Sequence, residues 1–316
     1  MAATKSRISC SGHYAIRVES EFSPSLARAY GRCAAIAHAH YENFPVASGL
    51  LPASMRPHIA AVYAFARAAD DFADEGKHTE RERLHLLDDW MCRLQQAGHN
   101  GSTARDDDDD RDLIFTALGH TIRVHELPVR LFEDLLSAFR QDVTVHRYDT
   151  WQELLDYCRR SANPVGRIVL RIAGCRNPAT ERSADCVCSA LQLANFLQDF
   201  AGDWERGRLY VPAEIYAAHG AHEYELGKPW LISAWCDVVS DVAGRTRELF
   251  YQGRDVCDAF RGRLRYELRA TWLGGVRILD QLERTGYDPV VRRPTIRAAD
   301  YLPLLWQILT WQSRCH

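Results

Sequence analysis

The chain has 316 residues, 47% of them apolar and 26% charged, with a net charge of -3. That composition excludes a disordered chain, and a slightly acidic balance offers no basic face for a phosphate backbone, so no nucleic acid is expected as a partner. The cysteines are scattered, with Cys186 and Cys188 the only close pair and no C-x-x-C spacing, so they read as reduced, mostly buried thiols of a cytosol.

Helical periodicity dominates, and the short alternating runs of Val, Ile and Thr that announce a sheet are missing. Residues 1–24 carry no apolar leader and read as an N-terminal extension; 25–316 read as one helical domain, since no linker divides them. The first helix is predicted over 25–40. A second, opened by Leu51, Pro52 and the pair Arg56 and Pro57, runs to about Asp74, and Gly76 ends it. Further helices fit 79–97, 111–125, 128–146, 150–160, 165–173 and 180–203, then 229–252, 259–284 and 298–312. The run of aspartates over 106–110 lacks the glycine and closing glutamate of an EF-hand and reads as a solvated loop. Many helices without a strand predict an all-α bundle. No stretch of about 18 apolar residues exists to span a bilayer. The chain is therefore expected to be cytoplasmic, with peripheral membrane contact left open because the surface segment 211–219 offers no strong amphipathic signal.

Two segments stand out for their acids. In YAFARAADDFAD, the side chains of Tyr63, Arg67, Asp70 and Asp74 project within about 60° of one another on a helix otherwise rich in Ala, Val and Phe. In LQLANFLQDFAGDWERGR, Gln192, Asn195, Asp199, Asp203 and Arg206 fall within roughly 80°. Leu191, Leu193, Ala194, Phe196, Leu197 and Phe200 cover most of the remaining surface, and a helix apolar on most sides is normally buried, its carboxylates with it. An unpaired buried carboxylate costs several kcal/mol, so something must neutralise it. Two carboxylate pairs facing each other make a hard oxygen cage suited to magnesium, which shares its remaining positions with substrate phosphates. Arg67, Arg206 and Arg208 are placed to hold the same diphosphate oxygens. Either motif alone also reads as a solvated helix end. A di-iron bundle wants Glu-x-x-His pairs, which the acid-bearing helices lack.

From about residue 40 to residue 293 these features resemble the squalene/phytoene synthase family. Residues 70–74 resemble its first aspartate-rich motif; Asn195, Asp199 and Asp203 resemble the second, and Arg208, Leu209 and Tyr210 its basic-then-tyrosine tail. The resemblance implies an isoprenoid synthase type bundle with a central apolar cavity, and magnesium held by Asp70, Asp74, Asn195, Asp199 and Asp203. It further implies an isoprenoid diphosphate substrate ionised to a carbocation where water is excluded. His40, Phe44, Tyr63, Arg67, Gln192, Arg206, Arg208 and Tyr210 take substrate-binding places in that scheme. Tyr157, in DYCRRSANPVG, resembles a tyrosine that assists proton removal or cation stabilisation; by itself it also reads as a core tyrosine whose hydroxyl finds a partner.

Three departures resemble the bacterial hydroxysqualene synthase subfamily: Asn163 and Pro164 where A-G-x-V-G is usual, Gln198 in place of arginine, and YENFPVAS over 41–48. That likeness implies conversion of presqualene diphosphate to hydroxysqualene by a water quench, with no nicotinamide expected. Asn163, near the pocket, would hold the water by hydrogen bonding. Condensation of two allylic diphosphates, as in presqualene diphosphate, squalene or phytoene synthases, is the alternative. A non-catalytic assembly factor of the same fold is a remote one, because such relatives lose the aspartates and this chain keeps them.

Overall fold

The computed structural model describes residues 23–39, 50–74, 76–99 and 109–312. Each predicted apolar stripe forms a helix, and no strand occurs among the described residues. The order is α1 (Pro24–Ala39), α2 (Arg56–Asp74), α3 (Glu80–His99), α4 (Asp110–His125), α5 (Val129–Thr144), α6 (Trp151–Ser161), α7 (Asn163–Ile172) and α8 (Pro178–Gln198). There follow α9 (Phe200–Glu205), α10 (Ala213–Ala218), α11 (Ser233–Gln252), α12 (Gly262–Arg284) and α13 (Ala298–Leu309), with short 3-10 turns at Glu223–Glu225 and Arg254–Asp258.

Local chemistry accounts for the boundaries. Thr150 caps α6 in a reciprocal box with Glu153, and Asn177 caps α8 ahead of Pro178 at its first turn. The aspartate run is divided by its role: Asp109 accepts from the Asp112 N–H as the cap of α4, and Asp110 in the first turn pairs with Arg32 of α1. Residues 106–108 lie outside the described residues. The predicted 180–203 helix is interrupted at Asp199, whose φ of -97° and ψ of 10° separate α8 from α9. Residues 51–55 form a turn, with the Met55 N–H bonded to the Pro52 carbonyl, before α2 starts at Arg56.

Two apolar cores result. The first gathers α1 to α5 around Phe65, Trp90, Phe115 and Phe132; the second gathers α8, α11 and α12 around Trp235, Phe250 and Trp272. Burying each large apolar side chain contributes about 1.5 to 3 kcal/mol. Helix α7 belongs to both cores, with Ile168 and Ile172 in the first and Leu170 in the second. Its close approach to α8 needs Gly166, where an added Cβ would lie 2.5 Å from the Cys188 sulfur. A smaller cluster of Tyr148, Leu154, Tyr157, Leu193 and Phe196 lies at the junction of α6 and α8.

Candidate functional site

Helix α2 delivers the first acidic motif at its C-terminal end. Its last carbonyls would be orphaned there, and the Arg83 guanidinium of α3 takes up those of Phe72 and Ala73 together with that of Gly76. The second motif straddles the α8 to α9 junction. Gly207 then adopts φ of +79°, the left-handed conformation glycine tolerates, and the Arg208 N–H returns to the Asp203 carbonyl at 2.8 Å. That reversal separates the two arginines of R-G-R: Arg206 stays exposed, while Arg208 turns inward toward α2.

The inward turn joins residues 134 positions apart. The Arg208 guanidinium grips Asp74 with two bonds, of 3.0 and 2.5 Å, and also reaches the Asp142 carbonyl at 3.3 Å. Around it lies a pocket of about 340 Å³ lined by Ala73, Asp74, Glu80, Arg83, Asp142, Val143, His146, Arg206 and Arg208. Asp203 is buried and pairs with Arg206 at 2.6 Å. Asp199 is held by Arg293 at 2.5 Å, and Gln198 donates to the Pro294 carbonyl at 2.6 Å. Arg67 lies 3.4 Å from Asp70 and 2.6 Å from Asp71. Each named acid of the two motifs thus has an arginine beside it.

The first-motif acids are less buried than the sequence suggests: the Asp70 side chain is 45% exposed and that of Asp74 37%, because α2 ends at the pocket mouth. Crowding still shows in their chemistry. Burial, followed by the charge of Asp74, pushes the Asp70 carboxyl up to about 6 against the lowering influence of Arg67 and Arg208. Burial also raises Asp203, which Arg206 partly offsets. Tyr63 lies half-buried on the same helix, its hydroxyl raised by burial.

Asp142 of α5 was not among the predicted site residues. It is buried, lines the pocket, and accepts the Tyr157 hydroxyl at 2.9 Å on one oxygen; the other oxygen has no hydrogen-bond partner among the described residues. Burial pushes its carboxyl up to about 7. The wheel of α5 carried the signal: Asp142 follows Leu135 by seven positions and Ala138 by four, both buried, and so stands on the apolar face. Arg293 carried no comparable signal, since it lies in an irregular segment between α12 and α13.

Tyr157 is buried, and burial followed by the nearby Asp142 charge raises its hydroxyl well above the usual phenol range, so it remains a donor. Its ring lies 6.1 Å from both Phe196 and Tyr210, which stack at 3.7 Å, and 5.7 Å from Tyr148. Asn163 stands outside the pocket lining, at the first turn of α7, where it accepts from Ser189 at 2.9 Å. Gln192 is half-buried and Asn195 exposed on α8. His40 and Phe44 lie outside the described residues.

No group of three His, Cys, Asp or Glu residues forms a ready-made metal cluster among the described residues. The donor set nonetheless fits magnesium, being composed of hard oxygens, and the carboxyls of Asp70 and Asp74 stay partly open to solvent at the end of α2.

A family model described as squalene/phytoene synthase matches residues 37–300. The chain is 43% identical over 191 residues to the hydroxysqualene synthase of Zymomonas mobilis, a match covering 59% of this chain and 60% of that protein, so it spans less than two thirds of that relative. It is 34% identical to the hydroxysqualene synthase of Sinorhizobium fredii, covering 80% of this chain and 82% of the relative. Among solved structures it resembles a squalene synthase from Alicyclobacillus acidocaldarius with a TM-score of 0.78 and 35% identity, covering 85% of this chain and 98% of that one.

Proposed function

Because the chain belongs to the squalene/phytoene synthase family, whose members are isoprenoid synthases, we propose that it converts presqualene diphosphate and water to hydroxysqualene and diphosphate. The observation that carries this reading is the identity shared with two hydroxysqualene synthases. The grip of Arg208 on Asp74 supports it by bringing the basic tail that follows the second motif to the end of the first, beside a pocket that Asp74 lines and Asp70, Asn195, Asp199 and Asp203 do not.

In this reading Arg67, Arg206 and Arg208 hold the diphosphate oxygens, and Tyr63, Gln192 and Tyr210 complete the substrate contacts. Asp70, Asp74, Asn195, Asp199 and Asp203 would hold magnesium, which draws charge from the diphosphate when bound. The C–O bond to diphosphate breaks with its electron pair leaving on oxygen, and a new C–O bond forms to water, which then loses one proton. Tyr157, Phe196 and Tyr210 offer ring faces to the cation, each worth about 1 to 2 kcal/mol. The partner-free oxygen of Asp142 is available to receive the proton. The Asn163 carbonyl oxygen is engaged by Ser189, so its amide NH₂ is the part that would hold a water.

The test is an assay of purified protein with presqualene diphosphate and magnesium in ¹⁸O-labelled water, read by mass of the lipid product. A labelled alcohol is expected; unlabelled product would sink the water quench. A second reading, condensation of two allylic diphosphates, is favoured by the similarity to a squalene synthase structure. Radiolabelled farnesyl diphosphate supplied alone separates the two, since only a condensing enzyme consumes it.

A further inference from the structure

Among the described residues, helix α13 departs from the other long helices in what it shows to solvent. One stripe packs inward: Leu304, Ile308 and Trp311 join the second core, and buried Asp300 pairs with Arg277 of α12. A second, broader face is apolar and open, with Leu302 78% exposed, Trp306 68%, Tyr301 64%, Leu309 63% and Leu305 51%, while Gln307 lies to one side of it. These five project within about 140° of one another. Apart from Asp300 no charged residue lies between positions 298 and 312. Large contiguous apolar faces of this kind mark interaction sites on soluble domains.

The surroundings bear on what covers it. Arg284, Arg292 and Arg297 are exposed near the start of the helix, and Val291 and Ile296 are exposed between and beside them. At the other end Arg254 stacks on Trp311 at 4.1 Å. Aromatic and aliphatic side chains flanked by arginines complement the boundary of a bilayer, where acyl chains meet anionic headgroups. No helix of the described residues is long and apolar enough to cross a membrane, and twelve residues of α13 reach only about 18 Å. The segment leading into α13 also touches the candidate site, through Arg293 on Asp199 and the Pro294 carbonyl on Gln198.

We infer that the exposed face of α13, with Arg292 and Arg297 at its border, lies in the interfacial plane of an anionic lipid bilayer and sets the acidic pocket beside the membrane. The choice of lipid as occupant rests in part on the reading that substrate and product are isoprenoids, which partition into bilayers.

The experiment is flotation of the full-length chain with phosphatidylglycerol/phosphatidylcholine vesicles and with phosphatidylcholine vesicles alone, without substrate. The Leu302→Glu/Trp306→Glu double variant is compared with the native protein, with circular dichroism and light scattering on both. Native protein should float with anionic vesicles, and the double variant should lose on the order of tenfold in partitioning while remaining folded and monomeric. Arg292→Ala/Arg297→Ala should weaken binding to anionic vesicles and leave the small binding to neutral ones unchanged. Equal flotation of native and double-variant protein overturns the proposal. So does a native dimer that the double variant dissolves, which makes a second copy the occupant. Flotation is read without turnover, so an enzyme that rejects presqualene diphosphate would sink the proposed reaction and leave the vesicle result standing.

Discussion

The two ends of α2 handle polar side chains in opposite ways. Near its start, His58 sits 7% exposed in a knot where the Tyr30 hydroxyl lies 3.0 Å from His58, 2.8 Å from His120 and 2.9 Å from Thr121. Burial, reinforced by His125 and His120, pushes His58 down to about 3, and hydrogen bonds through the Tyr30 hydroxyl join α1, α2 and α4. Near its end, Asp70, Asp71 and Asp74 crowd together and rely on Arg67 and Arg208. A buried polar group satisfied by neutral neighbours serves the fold, whereas acids crowded at a half-open helix end and shared between two arginines mark where a ligand's charge belongs.

Substitutions can break that contrast. The largest effect is expected at the acidic end: Asp70→Ala or Asp199→Ala should lower turnover of presqualene diphosphate on the order of a hundredfold or more, with the melting temperature shifted by only a few degrees. Near-normal turnover in either variant would make the magnesium assignment wrong. Next, Tyr157→Phe or Asp142→Asn should cost roughly tenfold or more in kcat, because one loses the donor and the other the carboxylate that receives it; equal kcat in both variants and native enzyme would reduce the pair to packing.

At the other end the effects move to stability. Tyr30→Phe should lower unfolding free energy by about 1 to 3 kcal/mol in urea titrations and leave kcat unchanged, since it strips a shared partner from His58, His120 and Thr121. The pH dependence has a definite sign. His58 in the folded state resists a proton that the unfolded chain accepts below about 6.5, so stability is full above that pH and falls as pH drops toward about 3. Urea midpoints at pH 7 and pH 5 should differ by the equivalent of roughly 1 to 2 kcal/mol from this group, and His58→Gln should flatten the difference. The smallest effect is a change of product rather than of rate. Asn163→Gly should shift the lipid mixture away from the alcohol, and an unchanged mixture would dismiss a water held there.

Periodicity, with proline and glycine marking some of the ends, located the long helices, because an apolar stripe repeating every three to four residues has no other stable use in a bundle, but it ran through the break at Asp199. It also located both acidic segments, since carboxylates aligned on apolar helices are rare without a reason. Asp142 was equally legible on the wheel of α5 but stood alone, with no second acid at a repeating interval to draw notice. Arg293 and the exposed face of α13 were not legible: an arginine in an irregular segment has no periodicity, and a leucine-rich helix looks the same whether covered or bare.

What the residues determined by themselves was an all-helical chain with acids and arginines in stripes, because helix formation and amphipathicity are local properties read within a few turns. Which arginine meets which acid is a long-range matter. Arg208 reaches Asp74 across 134 positions only because Gly207 reverses the chain after α9 and the packing of the bundle carries α2 to the same pocket. Those pairings, the burial of Asp142 against Tyr157, and the side of α13 left bare were decided by tertiary packing, since contact across a bundle depends on how helices cross rather than on the sequence of any one of them.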